Sequence, residues 1–222
     1  MQLKSTKDLH TNGVKLLVYG QAGAGKTSLI STLPNPVVFS AEGGLLSLAQ
    51  DNIPFIEVTD MATLTEAYKW VTESDDAKQF DSVALDSISE IAEVVLSSEK
   101  KKSKDPRQAY GALQEIIGDL IRAFRDIQGK NVYFSAKLEK QSDELGRMLY
   151  WPSMPGNKTG QQLPYYFDEV LALRVEKDAD GQTQRALMCD SDGLWTAKDR
   201  SGRLDAWEAP DLGAIINKIG GQ

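Results

Sequence analysis

One short stretch near the start of the chain leaves few folds open. Gly20-Gln21-Ala22-Gly23-Ala24-Gly25-Lys26-Thr27 reads G-x-x-x-x-G-K-T, a spacing that cradles phosphate only where a strand ends and a helix begins. The flanks supply that context. Residues 14–19 (VKLLVY) are apolar and strand-like, and residues 27–33 (TSLISTL) can continue as a helix until Pro34 and Pro36 stop it. The glycines let backbone N–H groups turn inward as an anion nest, to which the new helix adds its positive N-terminal dipole. Gly20, Gln21, Ala22, Gly23, Ala24, Gly25, Lys26, Thr27 and Ser28 are therefore read as the nucleotide-binding loop. Lys26 would reach the β- and γ-phosphates, and the Thr27 hydroxyl would ligate Mg²⁺.

The rest of the chain suits an α/β fold. Strand-like runs at 36–40, 53–58, 80–86 and 131–136 alternate with helical patterns, among them a long amphipathic helix from Pro106 to near Gly129. Thr63-Leu64-Thr65-Glu66 has capping-box spacing. Such alternation argues for a mostly parallel sheet covered by helices on both faces. After residue 137 the pattern changes. Residues 138–165 are polar, contain Pro152, Pro155, Gly156 and Gly160, and read as one long loop, functional or partly disordered. Beyond it, residues 170–175 and 185–188 flank Asp180-Gly181 as an antiparallel hairpin, residues 194–197 form a further strand, and Pro210 opens a last short helix. The reading is a single domain over 1–222, with residues 1–12 as a lead-in ending in a Thr11-Asn12-Gly13 turn.

Composition narrows the setting. The one cysteine, Cys189, excludes an internal disulfide and favours a reducing compartment. No apolar run reaches membrane-spanning length and no signal segment follows Met1, so the expectation is a cytoplasmic chain without a membrane partner. A net charge of −7 argues against bulk attraction to nucleic acid but leaves room for a local basic stripe.

Two carboxylates complete a hydrolytic site. Asp86 closes the strand 80–86 as a Walker-B aspartate does, and would hold Mg²⁺ from the side opposite Thr27. An aspartate there is also a good helix N-cap, and both roles can coexist. Glu42 ends the strand 36–40 beside Gly43 and Gly44, at the carboxyl end of the sheet where parallel strands present ligands. Glu90, one helical turn past Asp86, is the competing base.

The strands ending in Ser40-Ala41-Glu42, Asp86-Ser87 and Ser135-Ala136-Lys137 resemble successive core strands of RecA-type ATPases. In that family the glutamate after the second strand activates the attacking water, which by resemblance is Glu42. The strand that usually ends in a γ-phosphate sensor, often glutamine, here ends in Lys137. Lys198-Asp199-Arg200-Ser201-Gly202 is similar to the K-x-R-x-G element with which clock-ATPase and helicase relatives insert two cations into a neighbour's active site. Lys198 and Arg200 would then act in trans, in a homo-oligomeric ring or filament. The order of motifs over residues 12–220 resembles the compact RecA-like recombination ATPases of bacteriophages, which use ATP and Mg²⁺ in a bacterial cytoplasm. That resemblance implies binding of single-stranded DNA, annealing or recombination, and a single-strand DNA-binding protein as a further partner. Lys100, Lys101, Lys102, Lys104 and Arg107 fall where the first DNA loop of RecA proteins lies. Lys140, Arg147, Trp151 and Lys158 fall on the second. Cations beside aromatics suit phosphate contacts with base stacking.

A small-molecule or nucleotide kinase is the rival P-loop enzyme. It should carry an arginine-rich lid, whereas 138–165 holds only Arg147. A non-catalytic nucleotide switch is a third reading, against which Glu42 argues.

Overall fold

The computed structural model describes residues 13–221; the lead-in at 1–12, with most of its turn, and the side chains of Asn157 and Lys158 lie outside the described residues. Strand β1 (Lys15–Gly20) is the centre of the fold and is buried throughout. Its near-continuous apolar run follows from cover on both faces. Strands β2 (Pro36–Ser40), β3 (Phe55–Glu57), helix α1 (Met61–Glu73), β4 (Ser82–Asp86), α2 (Ile88–Lys102), α3 (Pro106–Arg125) and β5 (Asn131–Ser142) follow. Then come β6 (Met148–Pro152), α4 (Asn157–Gln162), β7 (Glu169–Lys177), β8 (Thr183–Met188), the short β9 (Lys198–Asp199) and β10 (Trp207–Glu208), and α5 (Leu212–Gly220). Across the sheet the order is β10-β8-β7-β1-β5-β4-β2-β3, with β6 paired to β5 and β9 to β7. The pairs from β7 to β3 along this path are parallel, while β7–β8 and β8–β10 are antiparallel. The expected α/β architecture, a mostly parallel sheet flanked by helices with a C-terminal antiparallel hairpin, is the one observed.

Period-two alternation assigns the faces. Leu17, Tyr19, Phe39, Leu85 and Phe134 pack under α1, α2 and α3. Leu16, Val18, Val38, Ala84 and Tyr133 pack on the other face with Leu29, Ile30, Leu212 and Ile215. The motifs collect at the carboxyl ends of β1, β2 and β4, with Lys137 of β5 level with Gly20 and Asp86 level with Ser40.

Several local expectations change. After the phosphate loop only a 3-10 turn forms, Ser28–Thr32, ending at an extended Leu33. Pro34 accounts for this, because the residue before proline is pushed out of the α region and proline has no N–H to continue the ladder. Helix α1 starts earlier than the capping box implied, with Asp60 accepting from Thr63 N at 2.8 Å. The stretch 138–165, read as a loop, contains a hairpin and a helix. β5 runs past the core to Ser142 and pairs antiparallel with β6. Asp143 Oδ1 closes the turn by accepting from Leu145 N and Arg147 N at 2.9 and 2.8 Å, and Gly146 supplies a φ of +77°. The strand expected at 194–197 reduces to a bridge at Trp195, and the pairing shifts to Lys198–Asp199.

Candidate nucleotide site

The phosphate loop leaves β1 at Gly20 with little room around it. A Cβ at Gly20 would lie 2.9 Å from the Leu173 carbonyl oxygen, and Gly23 and Gly25 take φ of +75° and +107°. Only glycine meets both demands without strain. Lys26 Nζ folds back to donate to Gly20 O and Gln21 O, both at 3.0 Å. Burial lowers its pKa, against the opposing pull of Glu42 and Asp86. Tyr133 OH donates to Lys26 O at 2.8 Å from the neighbouring strand, bracing the loop from below.

Thr27 and Asp86, expected on opposite sides of a metal ion, are in direct contact. Thr27 Oγ1 donates to Asp86 Oδ2 at 2.8 Å, and Ser135 Oγ donates to Asp86 Oδ1. Ser135 reaches there because β5 lies between β1 and β4. Burial raises the Asp86 pKa, with the two hydroxyls working the other way. A buried carboxylate beside a hydroxyl at the rim of a phosphate loop is a donor set that fits Mg²⁺, which takes one or two carboxylates plus substrate phosphates. No group of three or more His, Cys, Asp or Glu among the described residues could cage a metal by itself, and Mg²⁺ bound in this way needs none.

Glu42 stands at the end of β2, next to the end of β4. Its carboxylate accepts a 2.5 Å hydrogen bond from Ser87 Oγ and stays open to solvent. Lys137 aligns with Gly20 in the β1–β5 register and forms an ion pair with Glu90. That pair engages the competing base on the α2 side. Lys137 N donates to Ser89 Oγ at 2.9 Å, and Ser89 Oγ donates to Ser153 O at 2.7 Å. These serine contacts join residues 48 and 64 apart in sequence, and no local pattern announces them.

The remaining residues lie elsewhere. Lys198 and Arg200 sit against the amino end of β7, where Lys198 pairs with Val170 and Asp199 with Glu169. Glu169 itself is level with Leu16 of β1, so the element lies at the opposite end of the strands from its own phosphate loop. Lys198 Nζ donates to Pro164 O and Phe167 O at 2.7 and 2.6 Å, and Arg200 pairs with Asp168 at 2.8 Å. The structure does not bring these cations to the phosphate loop of the same chain.

Lys100, Lys101 and Lys102 end α2, and Lys104 and Arg107 flank the turn into α3; all five are exposed. Lys102 pairs with Glu99 at 2.6 Å, and Lys100 Nζ lies 5.4 Å from the centre of the Tyr110 ring. Tyr110 in turn packs on Gly156, where an added Cβ would meet its ring at 3.3 Å. Lys140 is exposed on β5, Arg147 pairs with Asp143 at 2.8 Å, and Trp151 is half-buried beside Gly160. The side chain of Lys158 is outside the described residues. Trp151 also borders a cleft of about 680 Å³ with Leu149, Tyr165 and Lys198. Sequence reasoning missed Arg185. From β8 its Nε donates to the carbonyl of Ala24 in the phosphate loop at 3.0 Å.

A glycine loop at the carboxyl end of a central parallel strand, with a lysine, a hydroxyl and a buried aspartate converging on it, defines a nucleotide-binding P-loop domain. A family described as AAA domain matches residues 12–201, and the chain belongs to that family, which makes it an ATPase-type domain. Comparison with curated proteins gives no match.

Proposed function

We propose that the chain is a RecA-like, Mg²⁺-dependent ATPase of the compact bacteriophage type, which assembles with copies of itself on single-stranded DNA and promotes annealing or recombination. The observation that carries this reading is the contact of Tyr110 with Gly156. It sets the basic turn after α2 beside the segment that follows the β5–β6 hairpin. Both segments are also tied to the nucleotide site, the hairpin through Lys137 and Ser153 and α2 through Ser89 and Glu90. A ligand on these segments is thus connected to the nucleotide site through α2 and β5.

In this reading the loop N–H groups and Lys26 bind and neutralise the phosphates, while Thr27 and Asp86 hold Mg²⁺. When bound, the ion would draw charge from the phosphate oxygens. Glu42 orients water and accepts its proton, and Ser87 fixes the direction of the carboxylate. Lys198 and Arg200, remote from their own loop, would serve the loop of an adjacent copy. Arg200 would then exchange Asp168 for a phosphate.

ATP turnover measured with and without single-stranded DNA tests the proposal. Stimulation by DNA is expected. Turnover indifferent to DNA, with phosphate passing to a small-molecule acceptor, would favour the kinase reading instead.

A further inference from the structure

Arg185 is exposed on β8, opposite Val175 of β7. Its Nε bonds Ala24 O, and its Nε and Cδ lie 3.8 and 3.9 Å from where a Cβ on Gly25 would be. Among the described residues it forms no ion pair, and the bond to Ala24 is the one hydrogen bond its side chain makes. The side chain is tethered at the rim of the phosphate loop, and the terminal nitrogens of its guanidinium have no protein acceptor there.

Position in the sheet says which end of a nucleotide it faces. The phosphate loop springs from β1. Thr27, Ser135 and Asp86, the groups for metal and terminal phosphate, lie toward β5 and β4. Arg185 comes from β8, two strands away on the other side. A nucleotide with its terminal phosphate directed at Asp86 therefore leaves its nucleoside on the β7–β8 side. A planar, weakly hydrated cation is suited to lie on the face of a base, where an ammonium is not.

We propose that Arg185 is the contact for the nucleoside end of the nucleotide, a deepening that rests on the nucleotide-site reading above. The bond to Ala24 holds the guanidinium at the loop rim in advance, which lowers the entropy lost when ligand arrives.

Calorimetric titration of the full chain with Mg²⁺-ATP, Mg²⁺-ADP and inorganic tripolyphosphate tests this in wild type, Arg185→Ala and Arg185→Lys. Both variants should lose about tenfold in affinity for ATP and for ADP while binding tripolyphosphate as wild type does. Their melting temperatures should stay unchanged, as the side chain is exposed. An equal loss for tripolyphosphate would overturn the inference in favour of a phosphate or loop-bracing role, and so would unchanged affinity for ATP. If wild type binds tripolyphosphate and ATP yet neither variant differs, the inference alone fails. A wild type that binds no nucleotide removes the site reading and the inference together.

Discussion

Ser87 Oγ donates a 2.5 Å hydrogen bond to Glu42, joining the end of β4 to the end of β2. Ser87 is also the N-cap of α2, facing Glu90 N at 3.4 Å. One hydroxyl therefore sets both the start of the helix and the aim of the carboxylate. Glu42→Gln should keep ATP affinity and lower kcat by about a hundredfold or more, since a base acts mainly in the transition state. Ser87→Ala should cost about tenfold in kcat with little change in affinity, because it loosens orientation and leaves the base in place. Parallel measurement of Kd and kcat checks both. An undiminished kcat in Glu42→Gln would transfer the role to Glu90, which would first have to leave Lys137.

Removing the loop cation should have the opposite signature. Lys26→Ala is expected to abolish binding of Mg²⁺-ATP while leaving the melting temperature within a few degrees of wild type. Its ammonium is held by two carbonyls of its own loop and by no distant element. Arg200→Ala should bind ATP and hydrolyse it poorly if Arg200 serves a neighbouring copy. Mixing the two inactive proteins should then restore part of the activity, because a mixed boundary joins an intact loop to an intact Arg200. Absence of rescue between variants that co-assemble, shown by light scattering, would rule out action across the boundary.

Stability should depend on pH through Glu169. Burial raises its pKa to about 8, and the hydrogen bond to Asp199 and the charges of Asp199 and Asp168 add to that. The folded chain thus keeps a proton that the unfolded chain releases near the ordinary 4.5. Wherever the folded state binds more protons, stability falls as pH rises. The loss should run from about pH 5 to about pH 8 and level off above it. Glu169→Gln carries no such proton and should flatten the slope in urea melts over that interval. Lys15, held down to about 8 by burial, contributes a slope of opposite sign at higher pH. An unchanged slope in Glu169→Gln would show that the carboxyl is ionised in the fold.

What could be read from the chain, and what could not, divides by the range of the interaction. Gly20–Thr27, Asp86 and Glu42 were legible because each occupies a fixed place at the end of an apolar strand. The β5–β6 hairpin was not. Lys140, Gln141 and Ser142 extend a strand beyond the core with both faces polar, so the period-two signal vanishes where burial ends. The helix expected after the phosphate loop stops at a 3-10 turn because Pro34 acts on Leu33 and limits the turn before it. Arg185 gave no local sign at all. Its role depends on the β7–β8 register and on a contact with Ala24 across 161 residues, which only the folded sheet creates. Ser89 and Ser153 were hidden for the same reason.

The basic turn after α2 and the β5–β6 hairpin should together bind single-stranded DNA despite the acidic whole. Lys100, Lys101 and Lys102 follow one another at the end of α2, where cations also favour the helix dipole. Helix stability alone would not require Tyr110 to hold Lys100 against the neighbourhood of Gly156. Replacing the three lysines with alanine should weaken binding of every sequence alike and lower the slope of log affinity against log salt, as loss of phosphate contacts does. Trp151→Ala should cost about 1–3 kcal/mol with little change in that slope if the ring, open toward the cleft it shares with Tyr165, stacks on a base. The two effects separate in a fluorescence-anisotropy titration of a labelled oligonucleotide at several salt concentrations. Mg²⁺-ATP should tighten binding, because Lys137 and Ser89 link the phosphate loop to both segments and coupling between two sites is reciprocal. By the same reciprocity DNA should tighten ATP binding by an equal factor, which gives a second measurement of one quantity. Equal DNA affinity in wild type and the triple-alanine protein would remove the basic turn from the binding surface. ATP-independent affinity would sever that surface from the nucleotide site.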